Sequence, residues 1–231
     1  MHCEFSLSHY KECIYAMREQ DYEIGPVKMV LQDYERFVLL RHDVDFYLDY
    51  AVQLAEFEHD QGVQSTYFIL MHSPFYNPLA PSNMDKIRKI EKLGHEIGWH
   101  VDTRYSFDYD ERRILQDIIS GTVESYSLHL PTLTNKPNPY MMISCKEINS
   151  DYDIKYISDS GRNWRSGCMC ENIGNYPRMQ ILTHPIWWTT DYIRDECLND
   201  LELGLKQNID DEIKKYKYII KEYLGGLGVS Y

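Results

Sequence analysis

The 231-residue sequence has no long apolar run, and no stretch approaches the roughly 18 residues that a membrane-spanning helix needs. Its opening segment, MHCEFSLSHYKECIYAMREQ, has no basic stretch followed by an apolar one. Neither a signal peptide nor a transmembrane helix is therefore expected, and a cytoplasmic location is. Positive charge is also in short supply. Against 36 Asp and Glu stand 24 Lys and Arg, for a net charge of -12. That balance disfavours sequence-independent nucleic-acid binding, which depends on neutralising phosphates, and it disfavours an anionic membrane surface. The six cysteines are Cys3, Cys13, Cys145, Cys168, Cys170 and Cys197. Without an expected secretion signal they read as free thiols rather than a disulfide framework. Cys168 and Cys170 are close enough to share a soft metal, but no second ligand pair with zinc-site spacing lies near them in the chain. Ordinary thiols are the expectation there. Internal repeats, low-complexity tracts and evident linkers are absent.

What remains describes a globular chain, with 43% hydrophobic and 26% charged residues. The length suits one well-packed domain over 1–231, with a helical lead-in over about 1–35 and a helical C-terminal segment over about 190–228. The 20 tyrosines suit stacking on sugar rings and core packing equally. A helix is expected over Ser8 to Arg18, capped by Ser8, followed by a strand over Phe37 to Leu40. Leu48, Ala51, Val52 and Ala55 recur at helical spacing up to a stop at Gly62. STYFIL (Ser65 to Leu70) reads as a second strand, and a helix near Met84 to Leu93 follows. HEIGWHV, SYSLHLP, IKYISDSG and MQILTHP read as further strands, with a helix over DYDERRILQDIISG and another over NIDDEIKKYKYIIKEYLGG. Alternating strand and helix from Phe37 onward predicts an α/β fold with a largely parallel sheet.

The polar residues cluster at the ends of these strands. Asp43 and Asp45 follow the first, His100 and Asp102 end the third, and His129 ends the fourth. Asp159 ends the fifth and His184 the sixth. Parallel α/β sheets bind ligands at the carboxyl ends of their strands, so the set says more than any member. Asp43 and Asp45, two apart, share a face in extended chain and suit a metal ligand beside a proton acceptor. Asp45 as a helix cap and Asp43 paired with Arg41 is the equally weighted alternative. His42 points the other way and reads as structural, as does His95. His100 and Asp102 share a face, and imidazole with carboxylate suits zinc-like ions.

In their order, RHDVD, GHEIGWH and a strand ending in His-Pro resemble the polysaccharide deacetylases of carbohydrate esterase family 4, the NodB-homology group. The resemblance runs from about Phe37 to Trp188. It is nearest to an intracellular subgroup associated with surface-polysaccharide genes. It implies an irregular or incomplete (β/α)-barrel, and a divalent metal, Zn2+ foremost, used to hydrolyse the N-acetyl group of an amino sugar. The family's Thr-Phe-Asp-Asp-Gly motif becomes Arg41-His42-Asp43-Val44-Asp45, which makes Asp43 the base and Asp45 a displaced metal ligand. In the His-x-x-x-His motif His100 matches the first ligand, but Arg104 stands at the second, and a guanidinium cannot ligate a cation. The Arg-x-Pro-Tyr motif corresponds to Leu128-His129-Leu130-Pro131; His129, Asp102 or Asp43 could supply the third ligand, and His129 is favoured. Asp159 through Trp164 matches the Asp-containing segment, with Asp159 orienting a site group. Ile181-Leu182-Thr183-His184 matches Leu-x-x-His, with His184 as proton donor. Arg104, Asp102, Trp187 and Trp188 are the expected substrate contacts, with burial in the core an equally weighted alternative for the two tryptophans. The implied function is removal of an N-acyl group from an amino-sugar intermediate of surface-polysaccharide or glycoconjugate assembly. Arg104 motivates an alternative of another class, a sugar-binding or regulatory protein with the fold but not the chemistry.

Overall fold

The computed structural model describes residues 3–102, 104, 109–129 and 142–190, with further helical positions between 199 and 221. The chain divides into two compact units, Met1–Thr190 and Asp191–Tyr231. In the second, the described positions 213, 214 and 216–221 are helical. Gly225 and Gly226, expected to end that helix, lie outside the described residues. Among the described residues no helix is long and apolar enough to cross a membrane.

The first unit opens with α1 (Leu7–Glu19), β1 (Glu23–Gly25) and a 3₁₀ turn, Val27–Leu31. Then follow β2 (Phe37–Val44), α2 (Leu48–Asp60), β3 (Thr66–Leu70), α3 (Pro81–Lys92), β4 (Glu96–Asp102), α4 (Tyr109–Ile118) and β5 (Ser125–His129). The remainder is β6 (Ile143–Ser144), α5 (Glu147–Asp151), β7 (Lys155–Ser158), α6 (Met169–Asn172), β8 (Arg178–Thr183) and α7 (Pro185–Thr189). The strands form one sheet in the order β6-β5-β4-β3-β2-β8-β7, and every pairing is parallel. This is an open, curled half-barrel, the incomplete (β/α)-barrel that the sequence led us to expect. The lead-in is not purely helical, because β1 pairs in parallel with Phe37 to Leu39 of β2.

Three boundaries differ from the sequence reading, each for a local reason. The cap of α1 is Ser6, whose hydroxyl accepts from the His9 amide. α3 starts at Pro81, which needs no amide partner in the first turn. β2 does not stop at Leu40. It continues through Arg41, His42, Asp43 and Val44, all buried, because β3 pairs with this half of the strand while β8 pairs with residues 37–42.

Such a strand is tolerable only if its polar side chains find partners. On one face they meet Glu58, fully buried on α2. Its Oε1 accepts from the Tyr10 hydroxyl at 2.5 Å and lies 3.0 Å from His42 Nε2. Its Oε2 accepts from Ser65 at 2.6 Å and Tyr67 at 2.8 Å. His42 Nδ1 meets Thr183 Oγ1 at 2.6 Å, and His95 bonds Ser65 and the Ala55 carbonyl. Both histidines therefore have the structural roles expected of them. Burial alone would raise the Glu58 carboxyl, but His42 and His95 hold it down to about 2. Because folding depresses this group below its ordinary 4.5, its stabilisation is present above that pH and is lost as pH falls toward about 2. Glu58→Ala should lower stability by about 3–5 kcal/mol, since it strands four polar partners. Urea unfolding should show a lower midpoint at unchanged slope, and a weaker pH dependence of stability between about pH 4.5 and 2. An unchanged midpoint would refute the assignment.

Candidate metal centre and its flanking histidine–aspartate pair

The carboxyl ends of β2, β4, β5 and β8 bring the expected residues together. Ser73 Oγ donates to the Asp45 carbonyl at 2.8 Å, and the Tyr76 hydroxyl donates to the Val44 carbonyl at 2.8 Å, which pins the chain where β2 ends. The backbone start of α2 is not capped by Asp45. Tyr47 sits at that cap position with no side-chain bond, and Asp45 turns toward the strand ends instead.

Asp45 Oδ1 lies 3.1 Å from His100 Nε2 and 3.3 Å from His129 Nδ1, and those two nitrogens are 3.3 Å apart. A tetrahedral ion with bonds of about 2.0–2.1 Å separates its ligand atoms by about 3.3–3.4 Å. The three donors thus already stand at ligand spacing. Oδ1 is buried and makes no hydrogen bond of good geometry among the described residues, although two imidazole nitrogens face it. The residues fit a small divalent ion. Burial raises the Asp45 carboxyl, but His100, His129 and His184 hold it well below the usual carboxylate range. Burial lowers His129 in turn, and Asp45 more than restores it.

Asp43 borders the triangle, with Oδ2 3.8 Å from His100 Nε2. Ser127 donates to its Oδ1 at 3.1 Å and Arg41 to its Oδ2 at 3.4 Å. Both halves of the earlier alternative are therefore separable: Asp43 does pair with Arg41, yet Asp45 is no cap. Ser127 was missed by the sequence reading. It also lies 2.6 Å from His100 Nδ1, and so orients a proposed ligand and a proposed base at once. Its position two before His129 on β5 put it on the same face, a signal available in SYSLH.

His184 approaches Asp45 Oδ2 with Nε2 at 3.7 Å. Its Nδ1 is 2.6 Å from Asp159 Oδ1, and its amide donates to Asp159 Oδ2 at 3.0 Å. Burial lowers the imidazole, but the charge and hydrogen bond of Asp159, with Asp45 and Asp43 nearby, push it up to about 9. Trp188, expected as a sugar contact, is a correction. It is 2% exposed, and its Nε1 donates to Asp159 Oδ2 at 2.9 Å, so its ring is packed in the core. Trp187 stays beside the site, edge-on to Phe46. A shallow depression there is lined by Asp43, Asp45, Phe46, Tyr47, Tyr50 and Pro185.

Arg104, at the motif's second histidine position, turns to Asp102. Its guanidinium clamps Asp102, with Nη2 at 2.6 Å from Oδ2 and Nε at 2.9 Å from Oδ1, and it is half exposed. That clamp, opposed by burial, lowers the Asp102 carboxyl. Leu130 and Pro131 of the His129 motif lie outside the described residues.

Fold and site together define a class: a parallel half-barrel carrying an Asp-His-His cluster at its strand ends, flanked by one carboxylate and by one carboxylate-held histidine. No family model matches the sequence, and no curated protein matches it. Solved structures similar to it include a peptidoglycan deacetylase and members of carbohydrate esterase family 4. A peptidoglycan deacetylase from Bacillus subtilis is 15% identical, with 80% of this chain and 98% of that chain covered at a TM-score of 0.44. A family 4 acetyl xylan esterase from Clostridium thermocellum, in complex with a cobalt ion, is 16% identical over 74% of this chain and 84% of that one, TM-score 0.41. A family 4 pseudoenzyme from Bacillus anthracis is 16% identical over 82% of this chain, TM-score 0.40. The chain spans 66% of that pseudoenzyme's length and 64% of a mutant form's.

Proposed function

We propose that the chain is a metal-dependent hydrolase that removes an acetyl-type N-acyl group from an amino sugar. The observation that carries this reading is the Asp45, His100 and His129 triangle at ligand spacing, bordered by both Asp43 and the Asp159-held His184. Asp45 Oδ1, His100 Nε2 and His129 Nδ1 would hold the ion, with Zn2+ the best match to one carboxylate and two imidazoles. When bound, such an ion supplies Lewis acidity that makes water nucleophilic near neutral pH.

The chain's own residues then divide the proton work. Asp43, oriented by Ser127 and Arg41, takes the proton of the attacking water as the new C–O bond forms. His184 gives its Nε2 proton to the amide nitrogen as the C–N bond breaks, so the amine leaves neutral rather than as an anion. The products are a carboxylate and a free amino sugar. Arg104, half exposed and braced by Asp102, and Trp187 beside Phe46 are the proposed sugar contacts. The motif resemblance supports an intermediate of surface-polysaccharide or glycoconjugate assembly, met in the cytoplasm, as the substrate. The alternative sugar-binding reading drew its support from a cation in the metal's place. The contact of Arg104 with Asp102 supports the hydrolase reading instead.

The test presents metal-loaded protein with N-acetylated amino sugars, free, nucleotide-linked and lipid-linked, and follows acetate release. Asp43→Asn should slow release by about 10²–10⁴-fold at unchanged metal content. Sugar binding without release from any carrier would favour the non-catalytic reading, and an unimpaired Asp43→Asn would refute the base.

A further inference from the structure

A second group of metal-competent side chains lies outside this site. Cys3, His9, Cys168 and Cys170 place one donor atom each within 4.8 Å of all the others. We propose that these four residues form a structural zinc site that fastens the N-terminal segment to the start of α6.

The spacing matches the chemistry. A tetrahedral zinc with Zn–S of about 2.3 Å and Zn–N of about 2.0–2.1 Å sets its sulfurs about 3.8 Å apart and sulfur from nitrogen by about 3.6 Å. Here Cys3 Sγ and Cys170 Sγ are 3.4 Å apart, and His9 Nε2 and Cys168 Sγ are 3.3 Å apart. Three thiols and one imidazole make a soft, closed donor set, which is the composition of structural zinc sites and leaves no open position for a substrate. The outer shell fits as well. His9 directs Nε2 at the sulfurs while its Nδ1 lies 3.4 Å from Glu12 Oε2, the carboxylate–histidine arrangement that fixes a ligating imidazole. Cys13, 3.7 Å from His9 Nε2, is not one of the four mutually close donors. His9 and Cys168 are buried, whereas Cys3 is exposed, so an ion has a route in from solvent.

The sequence reading dismissed Cys168 and Cys170 because no second ligand pair lay nearby in the chain. The fold supplies that pair from the other end of the unit, since Cys3 and Cys170 are 167 residues apart. The fastening would also bear on the hydrolase site. Phe5, two residues after Cys3, stacks on Trp164 at 5.9 Å and meets Trp188 edge-on at 5.3 Å. Trp188 in turn donates to Asp159, the residue that orients His184.

Full-length protein, purified under reducing conditions without chelators, tests the site by metal analysis and by cobalt substitution. Cobalt bound to cysteine gives an intense thiolate-to-metal absorption in the near ultraviolet, which a carboxylate–imidazole site cannot produce. Wild type and Asp45→Asn should both show it. Cys170→Ser should lose it together with one equivalent of zinc, and should melt at a lower temperature. Cys3→Ser, at an exposed position, gives the same reading without disturbing packing. The absorption's absence from reduced wild type would overturn the proposal, as would a Cys3–Cys170 disulfide in metal-free protein as isolated. Failure of the hydrolase reading would appear separately, as unchanged metal content in Asp45→Asn.

Discussion

Asp159→Asn should lower kcat by about 10²–10⁴-fold with little change in KM or metal content. The reason lies in how tightly Asp159 is committed. It is fully buried, and its Oδ2 accepts from both the His184 amide and Trp188 Nε1. Two donors on that atom require it to remain an oxygen. In an asparagine the amide nitrogen must therefore take the place of Oδ1 and donate to His184 Nδ1. The imidazole then keeps its only proton on Nε2 and loses the carboxylate charge that pushes it up to about 9. A neutral imidazole is a far weaker proton donor than an imidazolium, so expulsion of the amine suffers. The proposal makes Asp159 a positioning residue. Asp159→Asn combined with His184→Ala should consequently be no slower than His184→Ala alone, because the two residues work as one unit. Additive losses would place Asp159 in a separate role.

The second large effect is expected at His129. His129→Ala removes one of three donors and should release the metal of the triangle, with acetate release falling to background. Metal analysis should show one equivalent fewer than wild type. Arg104→Ala should keep that equivalent, since its guanidinium is turned onto Asp102 rather than into the triangle. A His129→Ala protein that retained both metal and rate would mean that another residue completes the coordination. The contrast between the two variants tests the departure from the family's pattern, the proposal being that a histidine on β5 replaces the ligand that the pattern assigns to the position of Arg104.

Much of the sheet was legible because buried parallel strands are continuous apolar runs with helices between them. FVLL, STYFIL and MQILT are such runs, and each became part of a strand. Where β2 ended was not legible, because Arg41, His42 and Asp43 look like the close of a strand until their partners are known. Those partners, Glu58, Thr183 and Ser127, come from α2, β8 and β5. The place of Trp188 was not legible for a related reason. An indole next to a site histidine has the same local sequence whether it faces a sugar or the core, and only the position of Asp159 decides between them.

By itself the sequence determined the main alternation of strands and helices from Phe37 onward, though not the short β1 and β6, and which strand ends carry Asp and His, since these follow from periodicity and residue chemistry. It also determined that Asp43 and Asp45 share a face, a property of any extended chain. Tertiary structure alone decided which donors stand about 3.3 Å apart around a common point. It sent Arg104 onto Asp102, set Ser127 between His100 and Asp43, and brought Cys3 and His9 to Cys168 and Cys170. Ligand sets are chosen by distance in space, and a parallel sheet makes neighbours of strand ends that the sequence keeps far apart.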